Sequence, residues 1–323
     1  MPILTVRQAI QEALREEMRR DENVFLLGED IAHYGSSYGV TKGFVDEFGE
    51  KRVKDTPISE TAIIGAATGA ALGGLRPVPE IMSINFALQA IDQVVNHTAK
   101  LSYMFGGQMK VPMVMRTPAG WSQLSATHSQ TLELFFAYVP GLKVVMPSTP
   151  YDHKGLLKSA IRDDDPVIFI EHALLYGMKG EVPEEEYLVP IGKSVVRRPG
   201  KDVTVVSYSR MAVAAVEAAN DLAKEGIDVE VIDLRTLRPL DLEPVLESVK
   251  KTNRLVIAEE GWKSFGIGAE IAARVSEEAF DYLDAPIRRV AGVEVPAPYN
   301  KHLEMAAFPH KANVVEAIRD VLK

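Results

Sequence analysis

Short runs of apolar and β-branched residues alternate with stretches of helical periodicity, and this alternation limits the fold more than any other feature of the chain. VFLLGE (Val24–Glu29), PVPEIM (Pro77–Met82), VPMVMRTP (Val111–Pro118), LKVVMPS (Leu142–Ser148) and PVIFIEH (Pro166–His172) read as strands. Helical patterns over Glu60–Leu72, Phe86–Tyr103 and Tyr151–Ile161 lie between them. Strands that run parallel need crossover segments, so the pattern implies βαβ units. Residues 177–200, rich in proline, glycine and acids, break it and read as a linker or surface excursion. A second alternation follows, with strands at Asp202–Tyr208, Asp228–Leu234, Arg254–Glu260 and Pro286–Gly292. Helices at Ala212–Lys224, Leu242–Lys251 and Ala269–Phe280 separate these. The expectation is two α/β domains, each a mostly parallel sheet flanked by helices: residues 1–180, a linker over 181–200, and 201–323. A length of 323 residues agrees, because single cores stop growing at about 250–300 residues.

The N-terminal stretch MPILTVRQAIQEALREEMRRDENV reads as a capped amphipathic helix starting near Thr5, without the apolar core of a signal peptide. No uninterrupted apolar run reaches the roughly 18 residues of a membrane span. A cytoplasmic protein is expected. The formal charge of −9 argues against a nucleic-acid partner held by bulk electrostatics. The absence of cysteine excludes disulfides, thiolate metal sites and cysteine nucleophiles.

In DTPISETAIIGAATGAALGG (Asp55–Gly74), one acid stands at the start of an almost wholly apolar helical stretch. Pro57 sets an extended entry and Ser59 is a candidate N-cap, which puts Glu60 in the first helical turn. A carboxylate there is favoured by the helix dipole, so Glu60 can be simple capping. Gly65, Gly69 and Gly73 recur at every fourth position. Glycine inside a helix costs roughly 0.5–1 kcal/mol relative to alanine. The stripe therefore suggests another backbone packing close, from this chain or a neighbouring subunit. An acid at the rim of such an interface has its pKa raised by desolvation unless a partner compensates, and raised carboxyls make good proton donors. Met82 and Phe86 sit at a strand-to-helix turn, where α/β folds place ligand crevices, though either residue can be core. His128, in SATHSQTLELFF (Ser125–Phe136), follows a small-residue loop and precedes a helix. It is either a general acid–base or an ordinary surface histidine.

FGIGAEIAAR imitates the start of a dinucleotide fingerprint at Gly266 and Gly268. Ile271 stands at the third small position and would block the helix–strand packing that motif requires. There is no GxxxxGK[ST] phosphate loop and no GxSxG elbow.

Taken together, LLGED (Leu26–Asp30), DTPISE (Asp55–Glu60), GLRPVPEIM (Gly74–Met82), NFALQAIDQ (Asn85–Gln93), THSQ (Thr127–Gln130), Pro140–His172 and EVIDLRTLRPLD (Glu230–Asp241) resemble the beta subunits of the thiamine-dependent decarboxylating component of 2-oxo-acid dehydrogenase complexes. The pyruvate dehydrogenase type is the nearest. The resemblance covers nearly the whole chain. It implies a transketolase-like pyrimidine-binding domain followed by a transketolase C-terminal domain. It implies that Glu60 hydrogen-bonds the aminopyrimidine ring of thiamine diphosphate. Ile58, Met82, Phe86 and Gln89 would line that pocket, and His128 would assist acyl transfer to a lipoyl arm. A monovalent cation, usually potassium in relatives, would sit on backbone oxygens of Met113, Ala160, Ile161, Asp163 and Asp165. Many relatives have Asn in place of Asp165 and another residue in place of Met113.

The GDG and Asn-Asn elements that hold diphosphate and Mg2+ are absent. By the same resemblance an alpha subunit supplies them in an α2β2 heterotetramer. The C-terminal domain then serves assembly and docking onto the lipoyl-bearing dihydrolipoyl acyltransferase core. Beta subunits for branched-chain 2-oxo acids or acetoin, a split transketolase half, and a non-catalytic assembly subunit are the competing readings.

Overall fold

The computed structural model of the chain describes residues 1–122 and 125–323. Two compact units emerge: Met1–Ala119 with Phe135–Ile191, and Gly120–Leu134 with Gly192–Lys323. The boundary at Ile191 falls inside the expected linker. The assignment of Gly120–Leu134 to the second unit differs from the expected domains and takes His128 with it. Nothing in the local pattern marks that excursion, because it depends on contacts with residues far along the chain.

In the first unit, six parallel strands run in the order Lys143–Val145, Val167–His172, Val114–Ala119, Arg76–Glu80, Val24–Gly28 and Val53–Asp55. The Val167–His172 strand is buried along its whole length, as a sheet covered on both faces requires. The Val6–Arg20 helix starts as expected. The Thr5 hydroxyl accepts from the Gln8 N–H, while the Gln8 side chain accepts from the Thr5 N–H at 2.8 Å. This helix packs on Pro150–Arg162. Lys154 and Lys158 bury their stems in the contact and place their ammonium groups on Glu12 and Glu16 at 2.9 and 2.5 Å.

Two expectations are corrected. The helix read over Phe86–Tyr103 is a 3-10 turn at Phe86–Ala90, a π-helical segment at Gln93–Thr98 and a short helix at Leu101–Met104. Bonds to the Glu60–Leu72 helix set this geometry: the Thr61 hydroxyl donates to the Gln89 carbonyl at 2.6 Å, and the Thr68 and Thr98 hydroxyls pair at 2.6 Å. Residues 177–200 are also not a bare linker. Lys179–Glu181 pairs antiparallel with Ile3–Thr5, and Val195–Arg198 pairs antiparallel with Val229–Asp233. Strands of three or four residues are too short to show a period, and their partners lie far away in sequence.

The second unit has the strand order Arg288–Gly292, Leu255–Trp262, Val203–Ser207, Val229–Asp233 and Val195–Arg198, parallel except for the last. Its core joins Val205, Val231 and Val256 of the sheet to Ala215 and Leu222 of the Ser209–Ala223 helix and Ile318 of Lys311–Val321. The glycines of the rejected fingerprint cradle a side chain of their own chain. The Gly268 N–H donates to Glu259 at 3.0 Å, and a Cβ on Gly266 or Gly268 would lie 2.6 or 2.5 Å from that carboxylate. Among the described residues no helix is long and apolar enough to cross a membrane.

Candidate active site

Gly28 is in register with both Asp55 and Glu80, so three adjacent parallel strands end together. Glu29, the turn leading to Glu60, and Met82 all leave the sheet at this carboxyl edge, where open α/β sheets bind ligands. Short bonds fix the edge. The Thr56 N–H donates to the Gly28 carbonyl at 3.0 Å, and the Asp55 carboxylate accepts from the Ala32 N–H at 2.7 Å. Beneath lies a buried ionic network. The Arg116 guanidinium grips Glu171 at 2.7 and 2.9 Å and Glu80 at 2.9 Å, while the Ser36 hydroxyl donates to Glu80. That last bond ties the loop after Glu29 to the sheet.

Ser59 occupies the N-cap position, but its hydroxyl makes no capping bond. Glu60 follows in the first turn of Glu60–Leu72 and is 8% exposed. Among the described residues its carboxyl group has no hydrogen bond or ion pair. The residue is mostly buried, while its carboxylate oxygens are not among the fully buried atoms left without a partner. Such a carboxyl is available to a ligand nitrogen.

Glu29 is 9% exposed, and its pKa is raised, first by burial and then by the neighbouring carboxylates of Glu60 and Asp30. Two acids sharing a dry site resist ionising together. The sequence shows Glu29 only as part of a motif. Its electrostatic tie to Glu60 depends on Val24–Gly28 pairing with Val53–Asp55.

Met82 and Phe86 are half-buried at the turn after Arg76–Glu80. Ile58 is 82% exposed. Gln89 is exposed, with its carbonyl bound to Thr61 on the Glu60 helix. All four therefore gather with Glu60 at one edge of the first unit. Among the described residues the glycine stripe does not meet another backbone. Gly65 faces the Gln93 side chain, Gly69 faces open space and Gly73 ends the helix. His128 lies in the second unit, half-buried on a turn, with its Nδ1 3.0 Å from the Thr127 hydroxyl.

Four of the five proposed cation carbonyls already have partners. Arg76 donates to the carbonyls of Ile161 and Asp163 at 3.0 and 2.9 Å. The Met113 carbonyl accepts from the Val167 N–H, and the Ala160 carbonyl from the Asp163 N–H. Lys143 sits on the side chains of Asp163 and Asp165 at 2.7 and 3.0 Å. A metal ion here would share two carbonyls with a guanidinium, beside the Asp163, Asp164 and Asp165 carboxylates that pair with Arg76 and Lys143. As arranged, Arg76 takes one lone pair on each of two of the five proposed carbonyls. Among the described residues no three His, Asp or Glu side chains are placed to hold a metal ion.

The transketolase pyrimidine-binding domain matches residues 3–179 and the transketolase C-terminal domain residues 192–314, so the chain belongs to the transketolase-like family. Within that family its similarity is to pyruvate dehydrogenase E1 component beta subunits. It is 52% identical to that of Rhizobium meliloti (strain 1021) over 99% of this chain and 70% of the relative. It is 52% identical to that of Rickettsia felis, covering 98% of each chain. Identity to the mitochondrial protein of Bos taurus is 50%, over 99% of this chain and 90% of the relative. A solved structure described as a split gene transketolase, inactive beta4 tetramer, superposes with a TM-score of 0.79. It is 24% identical and covers 99% of this chain and 98% of its own, which speaks to the fold alone.

Proposed function

We propose that this chain is the beta half of a pyruvate-decarboxylating enzyme, active only with an alpha partner. The surroundings of Glu60 carry the reading: a carboxyl with no partner among the described residues, beside a second carboxyl whose pKa is raised, at the carboxyl edge of a parallel sheet. This fits the aminopyrimidine ring of thiamine diphosphate, a neutral group with a ring nitrogen. When bound, thiamine diphosphate supplies the electron sink for loss of carbon dioxide. Glu60 holds and shares a proton with the ring nitrogen. Glu29 stands beside it, and burial together with the Glu60 and Asp30 carboxylates raises its pKa. Half-buried Met82 and Phe86 exclude water beside it, and Ile58 and Gln89 complete the rim. Diphosphate and Mg2+ fall to the alpha subunit, because the motifs for them are absent from this sequence.

The partner would cover the exposed side of the Glu60 helix in an α2β2 assembly. Gly69 faces open space there, and Ile58, Leu72 and Leu88 are exposed apolar side chains. The acetyl group then passes to a lipoyl arm of the acyltransferase core. In that transfer the dithiolane S–S bond breaks, one sulfur takes the acetyl group, and the other leaves as a thiolate that needs a proton. The two electrons that reduce the disulfide come from the substrate. His128 is the group we assign to that proton.

The pyruvate names of the relatives favour pyruvate over branched-chain 2-oxo acids and acetoin. Co-expression with the alpha subunit tests this: carbon dioxide should be released faster from pyruvate than from branched-chain 2-oxo acids. Preference for a branched-chain acid would overturn the substrate assignment.

A further inference from the structure

The segment that carries His128 is held at both described ends by buried side chains of the second unit. Near its start, the Trp121 backbone N–H donates to Glu260 at 3.1 Å and the Ser122 backbone N–H to Glu304 at 3.0 Å. These carboxylates are 4% and 1% exposed. Their other oxygens are held too, Glu260 by Arg210 at 2.6 Å and Glu304 by Lys301 at 2.8 Å. The Trp121 ring stacks on Phe308 at 5.9 Å and meets the Arg210 guanidinium at 5.3 Å. Near the segment's end, Tyr208 donates to the buried Glu133 at 2.8 Å.

Ser122 and Ser125 lie in the left-handed region, at φ 67° and 56°. Non-glycine residues persist there only where their surroundings enforce it, and such positions cluster at functional sites. A backbone N–H aimed at a buried carboxylate is a charge-assisted bond strong enough to enforce it.

Resting on the reading of His128 above, we infer that Glu304, with Glu260, is a positioning residue for acetyl transfer. The C-terminal domain would then set the reach of His128 as well as serve assembly and docking. Glu304 acts through the Ser122 amide and touches no reacting atom. Displacing a catalytic group by about 1 Å can cost about a hundredfold, so the penalty should fall on the step His128 serves.

The test uses the assembled alpha–beta enzyme with thiamine diphosphate and two assays. One follows pyruvate decarboxylation with ferricyanide as the electron acceptor, and the other acetyl transfer to a free lipoyl domain. Glu304→Met should lower transfer by about tenfold to a hundredfold while changing decarboxylation much less. Glu304→Gln keeps an oxygen for the Ser122 N–H and should restore most of the transfer. In a Trp262→Phe background, Glu304→Met should also shift Trp121 emission to the red, and Glu304→Gln should not. If Glu304→Met does not assemble, Trp121→Leu loosens the same end of the segment by removing the ring's contacts with Phe308 and Arg210; it leaves the backbone bonds in place and should show the same split to a smaller degree. Equal loss in both assays, or unchanged transfer, would overturn the inference. His128→Gln separates the two layers. If it leaves transfer intact, the reading of His128 fails, whereas the Trp121 emission shift still reports on the anchor.

Discussion

Glu60→Gln keeps the size of the side chain and removes its acidic proton. The wild-type carboxyl has no hydrogen-bonding partner among the described residues, so the folded chain loses no internal bond. It also loses a repulsive neighbour of Glu29, and stability should change by less than about 1 kcal/mol. Catalysis should respond very differently. A positioned proton-sharing group contributes roughly a hundredfold to ten-thousandfold, which is about 3–5 kcal/mol of barrier. The assay is carbon dioxide release from pyruvate by the alpha–beta assembly at saturating thiamine diphosphate, beside thermal unfolding. A second signature is pH-dependent. The folded pKa of Glu29 is raised, so the stability it contributes is present below its unfolded value and is lost as pH rises through the folded value. Glu60 is the second cause of that rise after burial, so the variant should lose less stability over the same window. Turnover indistinguishable from wild type would refute the reasoning and reduce Glu60 to a helix cap.

Arg116→Met should destabilise the first unit by about 3–5 kcal/mol, because it leaves Glu80 and Glu171 buried without their cation; an unchanged melting temperature would show that the two acids protonate without penalty. Burial raises the pKa of Glu133 to about 7, with Glu259 and Glu260 adding to the rise. The protein should therefore lose stability as pH climbs from the ordinary carboxylate value through about 7, and Glu133→Gln should flatten that part of the melting curve. Exchanging potassium for sodium or choline at constant ionic strength should leave the melting temperature unchanged, since Arg76 and Lys143 already hold the Ala160–Asp165 turn. A saturable rise with potassium alone would return the metal to those carbonyls.

Most of the architecture was legible because the parallel strands are long enough to show apolar runs and their crossover helices show a period. The edge strands Lys179–Glu181 and Val195–Arg198 were not, because three or four residues hold no readable pattern. Phe86–Tyr103 carries apolar residues at helical spacing, yet hydroxyl bonds from Thr61 and Thr68 bend it into 3-10 and π geometry. At the site, local chemistry pointed to Glu60. The pairing with Glu29 and the anchors of the His128 segment were invisible, since each joins residues brought together only by the folded sheet. Glu304 and Ser122 are 182 positions apart. The contact of Arg76 with two of the proposed cation carbonyls, from 85 and 87 positions away, was invisible for the same reason.

The most direct measurement is a crystal structure of the alpha–beta assembly with thiamine diphosphate bound. The account expects a Glu60 carboxyl oxygen at hydrogen-bond distance, about 2.6–3.2 Å, from a nitrogen of the aminopyrimidine ring. A ring bound elsewhere, with the Glu60 side chain turned to solvent, would contradict it.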